Sequence, residues 1–235
     1  MNKSFVLTSM QKEVAKETLT EAVERVLETT DAQEQIEDQK QIAKQRQNRS
    51  DTLWFELILS MSTLQGSHGN TLAVNDEYYA QVEYENLVQM DEEDRIAHLK
   101  EVLLEAGVNM HNKKSMYISS HVERIESMGG LEEAQDEFSS RTGKGEKVEF
   151  LKQFKGIGDK YARNIGMDLL HSDFRDTLAL DTRIKNITDE LGIEFNSYEQ
   201  HENFYVSVAN SLNVTPWELD RILYRYTDEV IEKIE

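Results

Sequence analysis

The sequence contains no cysteine among its 235 residues. This absence excludes disulfides, thiolate zinc sites and cysteine-ligated iron–sulfur clusters. The six histidines are scattered without an H-x-x-x-H pair, so no ligand set indicates a catalytic metal. We therefore predict a protein without a metal and without a resident cofactor.

Long apolar runs are also missing. No segment approaches the roughly eighteen apolar residues that a membrane span requires. The first residues, Met-Asn-Lys-Ser-Phe-Val-Leu, are too polar and too short for a secretory signal. We expect a cytoplasmic protein that acts as a monomer and has no membrane partner.

Strand-like alternation of apolar and polar residues is absent, whereas apolar residues recur at helical intervals along most of the chain. The predicted fold class is therefore all-α. Residues 1–49 are assigned to an N-terminal helical extension, whose polar second half, residues 29–49, is predicted to be a surface helix. The clearest helix start is Thr215-Pro216-Trp217-Glu218, and the apolar positions after it predict one helix reaching nearly to the end.

Positive charge is scarce, because 26 Lys and Arg stand against 45 Asp and Glu, for a net charge of −19. Such a balance is unusual for a nucleic-acid binder. The charge is unevenly distributed, however, since seven basic and three acidic residues lie between Arg141 and Arg163. This stretch is the candidate for an anionic partner, and its affinity should depend steeply on salt.

The centre of that stretch reads Phe-Lys-Gly-Ile-Gly-Asp-Lys-Tyr-Ala over residues 154–162, with helical apolar spacing on both sides. We interpret it as a helix-hairpin-helix whose turn is Gly156-Ile157-Gly158. Both glycines are expected to adopt backbone angles that are closed to other residues. A turn beside a helix N-terminus presents N–H groups that favour an anion, here a DNA phosphate. Lys155 and Arg163 are the flanking DNA-binding candidates.

A lone G-x-G is weak evidence, but Lys160 follows two residues later and Leu178-Ala179-Leu180-Asp181 follows after a loop. With these residues the sequence resembles the helix-hairpin-helix (HhH-GPD) DNA glycosylases. The resemblance implies that Lys160 is the nucleophile and Asp181 the essential aspartate. Endonuclease III relatives usually carry a four-cysteine cluster, so the absence of cysteine implies a cluster-free branch.

The resemblance also implies a two-lobed core over residues 50–235. In this reading a barrel lobe covers about residues 66–170, and the N- and C-terminal helices form the second lobe.

Residues 107–118 and Glu218-Leu219-Asp220 are similar to segments of the type-2 8-oxoguanine DNA glycosylases. This similarity implies that Lys113 and Lys114 contact phosphate and that Asp220 reads the damaged base. By position, Gln65 would fill the gap left by the flipped base. The aromatic candidates for the base pocket are Trp217 and Phe55, although aromatic residues at helical spacing are more often part of the core.

The implied function is a base-excision repair glycosylase with AP-lyase activity on double-stranded DNA that contains a damaged base. The implied lesion is 8-oxoguanine first and an oxidised pyrimidine second. Three alternatives stay open: a monofunctional glycosylase in which Asp181 activates water, a non-catalytic helix-hairpin-helix DNA-binding module, and an acidic interaction domain that mimics DNA. A potassium or sodium ion at the hairpin carbonyls also stays open.

Overall fold

A computed structural model of the protein describes residues 9–64 and 70–234. Within these ranges the chain forms α-helices and one short 3-10 helix, without a strand, which confirms the all-α prediction. The α-helices are α1 Ser9–Thr29, α2 Ala32–Gln47, α3 Thr52–Thr63, α4 Asn70–Val74, α5 Asp76–Tyr79, α6 Tyr84–Leu87, α7 Glu92–Glu105, α8 His111–Ser127, α9 Leu131–Ser140, α10 Gly143–Leu151, α11 Asp159–Asp168, α12 Thr182–Glu190, α13 Tyr198–Ser211, α14 Pro216–Arg225 and α15 Thr227–Ile234. The 3-10 helix is Ser172–Phe174. In the described ranges, no helix combines the length and apolarity needed to cross a bilayer.

The chain divides into two compact units. The central unit is continuous, from Arg46 to Leu169, and contains α3 to α11. The discontinuous unit combines the chain up to Gln45 with the chain from Leu170 onward, and so contains α1, most of α2, and α12 to α15.

The discontinuous unit has its core around α1, which packs against α13 and α15. Leu19, Val23 and Val26 of α1 are fully buried there. The α12 helix lies against α14 and α15, so its N-terminus is supported from the same core. In contrast, α2 buries only Ala32, Ile36 and Ala43, as expected for a predicted surface helix.

The start of α14 matches its prediction, but its end does not. Glu218 N donates to Thr215 Oγ1 at 3.2 Å and Thr215 N donates to Glu218 Oε2 at 2.6 Å, which completes a capping box. The single helix predicted to follow is broken at Tyr226, whose φ of −112° and ψ of 34° are not helical. Tyr226 is buried and its hydroxyl donates to Asp31, just before α2, so tertiary packing overrides the helical pattern here.

The central unit is organised around α3, an apolar helix that contacts α4, α8, α9 and α11. Trp54, Leu57, Ile58 and Met61 of α3 are fully buried. The indole of Trp54 donates a hydrogen bond to the carbonyl of Val82 at 2.8 Å, which satisfies its one polar group. The α8 helix packs along α7 as well as against α3. The position of α11 is thus set by its contact with α3 in this core.

Candidate active site

The predicted helix-hairpin-helix is present in the central unit as α10 and α11, joined by residues 152–158. Ile157 N donates to Phe154 O at 3.0 Å and closes a β-turn whose third residue is Gly156. Phe154 and Ile157 are buried, whereas both turn glycines are exposed. The turn is therefore anchored by its apolar side chains and presents its glycines to solvent.

The two glycines differ in what they require. Gly156 has a φ of +88°, and a Cβ there would lie 2.8 Å from the Tyr117 ring, so this position needs glycine. Gly158 has a φ of −101° and a ψ of −174°, and a Cβ would meet nothing within 4 Å. The expectation that both glycines adopt angles closed to other residues is wrong for Gly158, which stands at the helix N-cap instead.

The N-terminus of α11 has no side-chain cap. Gly158 O accepts the first helical bond from Ala162 N at 2.9 Å, but glycine offers no side chain to the first N–H groups. These N–H groups and the helix dipole favour an anion at this end. An uncapped and exposed helix start is the arrangement that a phosphate-binding hairpin requires.

Lys160 and Arg163 are both on α11. The Lys160 Nζ lies 4.3 Å from the centroid of the Tyr161 ring, and the Lys160 side chain is half-buried. The Arg163 guanidinium lies 3.4 Å from Asp159 Oδ1, one turn earlier on the same helix. The structure therefore brings these two cations to one short helix with the hairpin turn at its start.

Lys155 is exposed in the turn, and its carbonyl accepts a hydrogen bond from His121 Nε2 at 2.8 Å. His121 lies on α8 and is fully buried, with its ring edge against Phe154. Burial lowers the pKa of His121 to about 4, so the ring is neutral near pH 7 and its Nε2 carries the proton. His121 thus holds the hairpin backbone at Lys155 from the buried side of the turn. No local sequence pattern indicated this contact.

Two of the basic side chains near the hairpin are bonded to other groups of the protein. Lys147 is buried and its Nζ donates to the carbonyl of Arg141. Lys152 lies 2.8 Å from Glu149 and 3.4 Å from Asp159, and these hydrogen bonds raise the pKa of Lys152. The positive excess predicted from the sequence is therefore smaller at the surface than the residue count implied.

The predicted phosphate contacts on α8 have different surroundings. Lys113 is exposed, and its Nζ lies 5.4 Å from the Tyr117 ring centroid. Lys114 is buried, and its Nζ donates to Leu64 O at 2.7 Å, at the end of α3. Desolvation lowers the pKa of Lys114 to about 8. Lys114 was predicted to contact phosphate, but its observed contact holds the end of α3. Gln65 lies outside the described residues.

Asp181, in the discontinuous unit, is the N-cap of α12. Its Oδ1 accepts from Arg183 N at 2.9 Å and from Ile184 N at 3.0 Å. Its Oδ2 takes part in neither bond and lies 3.9 Å from Arg183 Nη1. One carboxylate oxygen therefore caps the helix, while the other faces the Arg183 guanidinium. The φ and ψ of Asp181 equal those of Gly158, so the two helices begin alike but only α12 is capped by its own side chain.

Arg183 and Tyr224 form a surface pair beside Asp181. The guanidinium carbon of Arg183 lies 4.0 Å from the centroid of the Tyr224 ring, and both side chains are about half exposed. Cation–π stacking holds the arginine in place without removing its hydrogen-bond donors from solvent. No sequence pattern pairs these residues, which are 41 positions apart and belong to α12 and α14.

The base-pocket candidates on α14 are both buried. Asp220 Oδ1 accepts from Ala179 N at 3.2 Å, and Asp220 Oδ2 lies 2.8 Å from Arg221 Nη1. The Trp217 ring is covered by the Arg221 guanidinium, 5.3 Å from its centroid. Glu218, which belongs to the same motif, is engaged by its capping box and by Lys40 Nζ at 2.6 Å. Asp220 thus contacts the segment that leads into Asp181.

Phe55, the remaining base-pocket candidate, lies in the central unit on α3. Its ring is covered by Arg49, 4.5 Å from the centroid, and by the neighbouring Tyr79 ring at 5.4 Å. Arg49 is held in turn by two hydrogen bonds to Asp51, at 2.7 and 2.9 Å. The geometry favours a core role for Phe55 over the predicted stacking on a base.

Comparison with solved structures defines the class of fold: the chain has the all-α fold of an 8-oxoguanine DNA glycosylase, as the resemblance implied. A Methanocaldococcus jannaschii 8-oxoguanine glycosylase/lyase in complex with a 15mer DNA containing 8-oxoguanine is similar with a TM-score of 0.62 and 20% identity, over 89% of this chain and 97% of that chain. A structure of the Methanocaldococcus jannaschii 8-oxoguanine DNA glycosylase is also similar, with a TM-score of 0.61 and 20% identity, over 88% of this chain and 92% of that chain. No protein-family model and no curated protein matches the sequence.

Proposed function

We propose that the protein is a DNA glycosylase of base-excision repair with AP-lyase activity, in which Lys160 is the nucleophile. The observation that carries this proposal is the hairpin itself. An exposed, uncapped helix N-terminus at Gly158 is followed within one turn by Lys160. The shared fold of a glycosylase/lyase supports the same reading. The proposed partner is duplex DNA with a damaged base.

The chemistry starts with a nucleotide flipped out of the duplex, because C1′ is inaccessible while the base is stacked. The Lys160 amine attacks C1′, and the bond to the base breaks as the base leaves with its electron pair and takes up a proton. The C1′–O4′ bond then breaks, nitrogen gives up a further proton and O4′ takes one up, which leaves an imine between Lys160 and C1′. Removal of a proton from C2′ then expels the 3′-phosphate by β-elimination and cuts the strand.

Asp181 is the proposed acid–base group of the reaction. It accepts the proton of the attacking amine and stabilises the positive charge that develops on the sugar. The capping bonds support this assignment, since they immobilise Oδ1 and leave Oδ2 outside both bonds. A carboxylate held in this way needs little reorganisation when it acts.

The proposed lesion is 8-oxoguanine, with an oxidised pyrimidine second. The first choice is supported by the similar structure that was solved with 8-oxoguanine in its DNA and by the Glu218-Leu219-Asp220 segment.

Borohydride trapping tests the proposal directly. The protein is incubated with duplexes carrying 8-oxoguanine, thymine glycol, uracil or an abasic site, and sodium borohydride reduces any imine to a stable adduct. We expect adducts with the abasic and the 8-oxoguanine duplexes, seen as a shift of the protein band on a denaturing gel. Release of the base without an adduct would contradict the lyase mechanism and favour a monofunctional glycosylase in which Asp181 activates water. Binding without base release or adduct would leave only a DNA-binding module.

Substituting Gly158 by aspartate should separate stability from DNA binding. Because Gly158 has the backbone angles of Asp181 and room for a Cβ, the new carboxylate is expected to cap α11 as Asp181 caps α12. The melting temperature should stay level or rise slightly. DNA affinity should fall about 10- to 100-fold, since a charge-assisted bond to phosphate is worth about 1.5–3 kcal/mol. Fluorescence anisotropy with a duplex carrying a reduced abasic site measures the affinity.

Gly145→Asp is the matched control for that prediction. Gly145 is exposed in the first turn of α10, its Cβ would meet nothing within 4 Å, and the substitution adds the same charge. We expect its DNA affinity to change less than about threefold, the size of a screened long-range charge effect. An equal loss in both variants would mean that net charge, and not the α11 terminus, determines the affinity.

A further inference from the structure

The chain enters Asp181 through residues 178–180, a buried segment that belongs to no helix, and the described chain contains no sheet. Buried backbone N–H groups must find acceptors, because an unsatisfied one costs about 1–3 kcal/mol. In a sheet a neighbouring strand would supply the acceptors. Here three side chains supply them.

Each consecutive N–H of this segment donates to a different side chain. Leu178 N donates to Glu202 Oε1 at 3.3 Å, and Ala179 N donates to Asp220 Oδ1 at 3.2 Å. Leu180 N donates to the hydroxyl oxygen of Tyr198 at 3.0 Å, while that hydroxyl donates to Leu178 O at 3.3 Å. The acceptors come from α13 and α14 and surround the segment.

Two of these acceptors are carboxylates that are almost completely buried, at 2% exposure for Glu202 and 4% for Asp220. Burying a carboxylate is expensive unless it is paired or strongly hydrogen-bonded. Asp220 is paired with Arg221 at 2.8 Å. The bonds from Leu178 N and Ala179 N therefore satisfy these buried acids as well as the backbone donors, and they tie the segment to α13 and α14.

Asp181 lies at the junction of two sets of bonds. On its C-terminal side, its own Oδ1 is bonded to the first N–H groups of α12. On its N-terminal side, the three preceding N–H groups are bonded to Glu202, Asp220 and Tyr198. The backbone that carries the carboxylate is therefore fixed before and after the residue.

We propose that Glu202, Asp220 and Tyr198 are positioning residues that hold Asp181 in place through the backbone of residues 178–180. This inference rests on the proposed function, in which Asp181 is the acid–base group. It also gives Asp220 a task that is independent of the damaged base. A misplacement of a reacting group by about 1 Å can lower a rate about 100-fold.

The test compares two substrates under single-turnover conditions, a duplex with 8-oxoguanine and a duplex with an abasic site. The variants are Glu202→Leu, Asp220→Ala and Tyr198→Phe, each of which removes one acceptor. We expect the maximal rate to fall about 10- to 100-fold on both duplexes, with the half-saturating DNA concentration changed less than about threefold. Glu202→Gln and Asp220→Asn keep an acceptor oxygen and should restore most of the rate.

Glu199→Leu is the matched control, because Glu199 is exposed on the same helix as Glu202. Tyr198→Phe removes only one hydroxyl, so it keeps the inference testable if the Glu202→Leu or Asp220→Ala protein does not fold. The inference is overturned if Tyr198→Phe and the folded acid variants keep the wild-type rate. For Asp220 it is also overturned if only the 8-oxoguanine duplex is affected, which would make this residue a reader of the base. A wild-type protein that cuts neither duplex would refute the proposed function itself.

Discussion

Lys160→Gln is expected to abolish the borohydride-trapped adduct on every duplex while the protein stays folded and bound to DNA. Glutamine keeps the aliphatic stem of the lysine but has no amine, so an imine with C1′ cannot form. Loss of a nucleophile lowers turnover by on the order of a thousandfold or more. The contact between the Lys160 ammonium and the Tyr161 ring, 4.3 Å apart, is worth about 0.5–1 kcal/mol, so the melting temperature should change little.

Lys155→Gln is the control for this prediction, since Lys155 is an exposed lysine of the same hairpin. Its side chain is one of the DNA-binding candidates predicted from the sequence, and the hydrogen bond from His121 to its carbonyl does not depend on the side chain. We expect a loss of affinity of a few fold with full trapping at saturating DNA. An adduct that survives Lys160→Gln and disappears with Lys155→Gln would move the nucleophile to Lys155. An adduct present in both variants would place it elsewhere in the chain.

Asp181→Asn is expected to lower the single-turnover rate by roughly 100- to 10,000-fold, the range associated with general acid–base catalysis. Asparagine and aspartate are about equally good N-caps, so the bonds to Arg183 N and Ile184 N should be kept. The melting temperature is then unchanged. Asp181→Ala removes both functions and should add a loss of about 1 kcal/mol in the free energy of unfolding.

Ser197→Ala separates the capping effect from the catalytic one. Ser197 caps α13, where its Oγ accepts from Gln200 N at 3.2 Å, and it is exposed. Loss of this cap should lower the free energy of unfolding by about as much as loss of the α12 cap in Asp181→Ala. The single-turnover rate should stay unchanged. Thermal unfolding and single-turnover cleavage of the abasic duplex measure the two effects. If Asp181→Asn retains the full rate, Asp181 is a cap and not a catalytic group.

The features that the sequence predicted correctly have local causes. The turn at Gly156 and the capping box at Thr215 each depend on residues within a few positions of one another. Such patterns determine backbone conformation wherever the segment lies in the fold. The all-α class followed in the same way from helical spacing.

The features that the sequence missed depend on contacts between distant positions. Lys114 lies in a basic pair that resembles a phosphate site, yet it bonds to Leu64, 50 residues earlier. The contact between His121 and Lys155 spans 34 residues. A pattern of residue types contains no information about which carbonyl a buried lysine or histidine meets, because tertiary packing decides it. The misreading of Gly158 has another origin, since a G-x-G pattern does not show which of its glycines has a positive φ, and Gly158 has a φ of −101° that any residue can adopt.

The bonding of residues 178–180 also bears on aggregation. An apolar segment whose backbone N–H groups are open can pair as a strand with another chain. In the native protein its donors are occupied by Glu202, Asp220 and Tyr198, and its side chains are buried, so no edge is offered. A partly unfolded state in which α13 separates from this segment would expose Leu178, Ala179 and Leu180 together. The interactions that we propose to hold the catalytic carboxylate thereby also protect the chain from self-association.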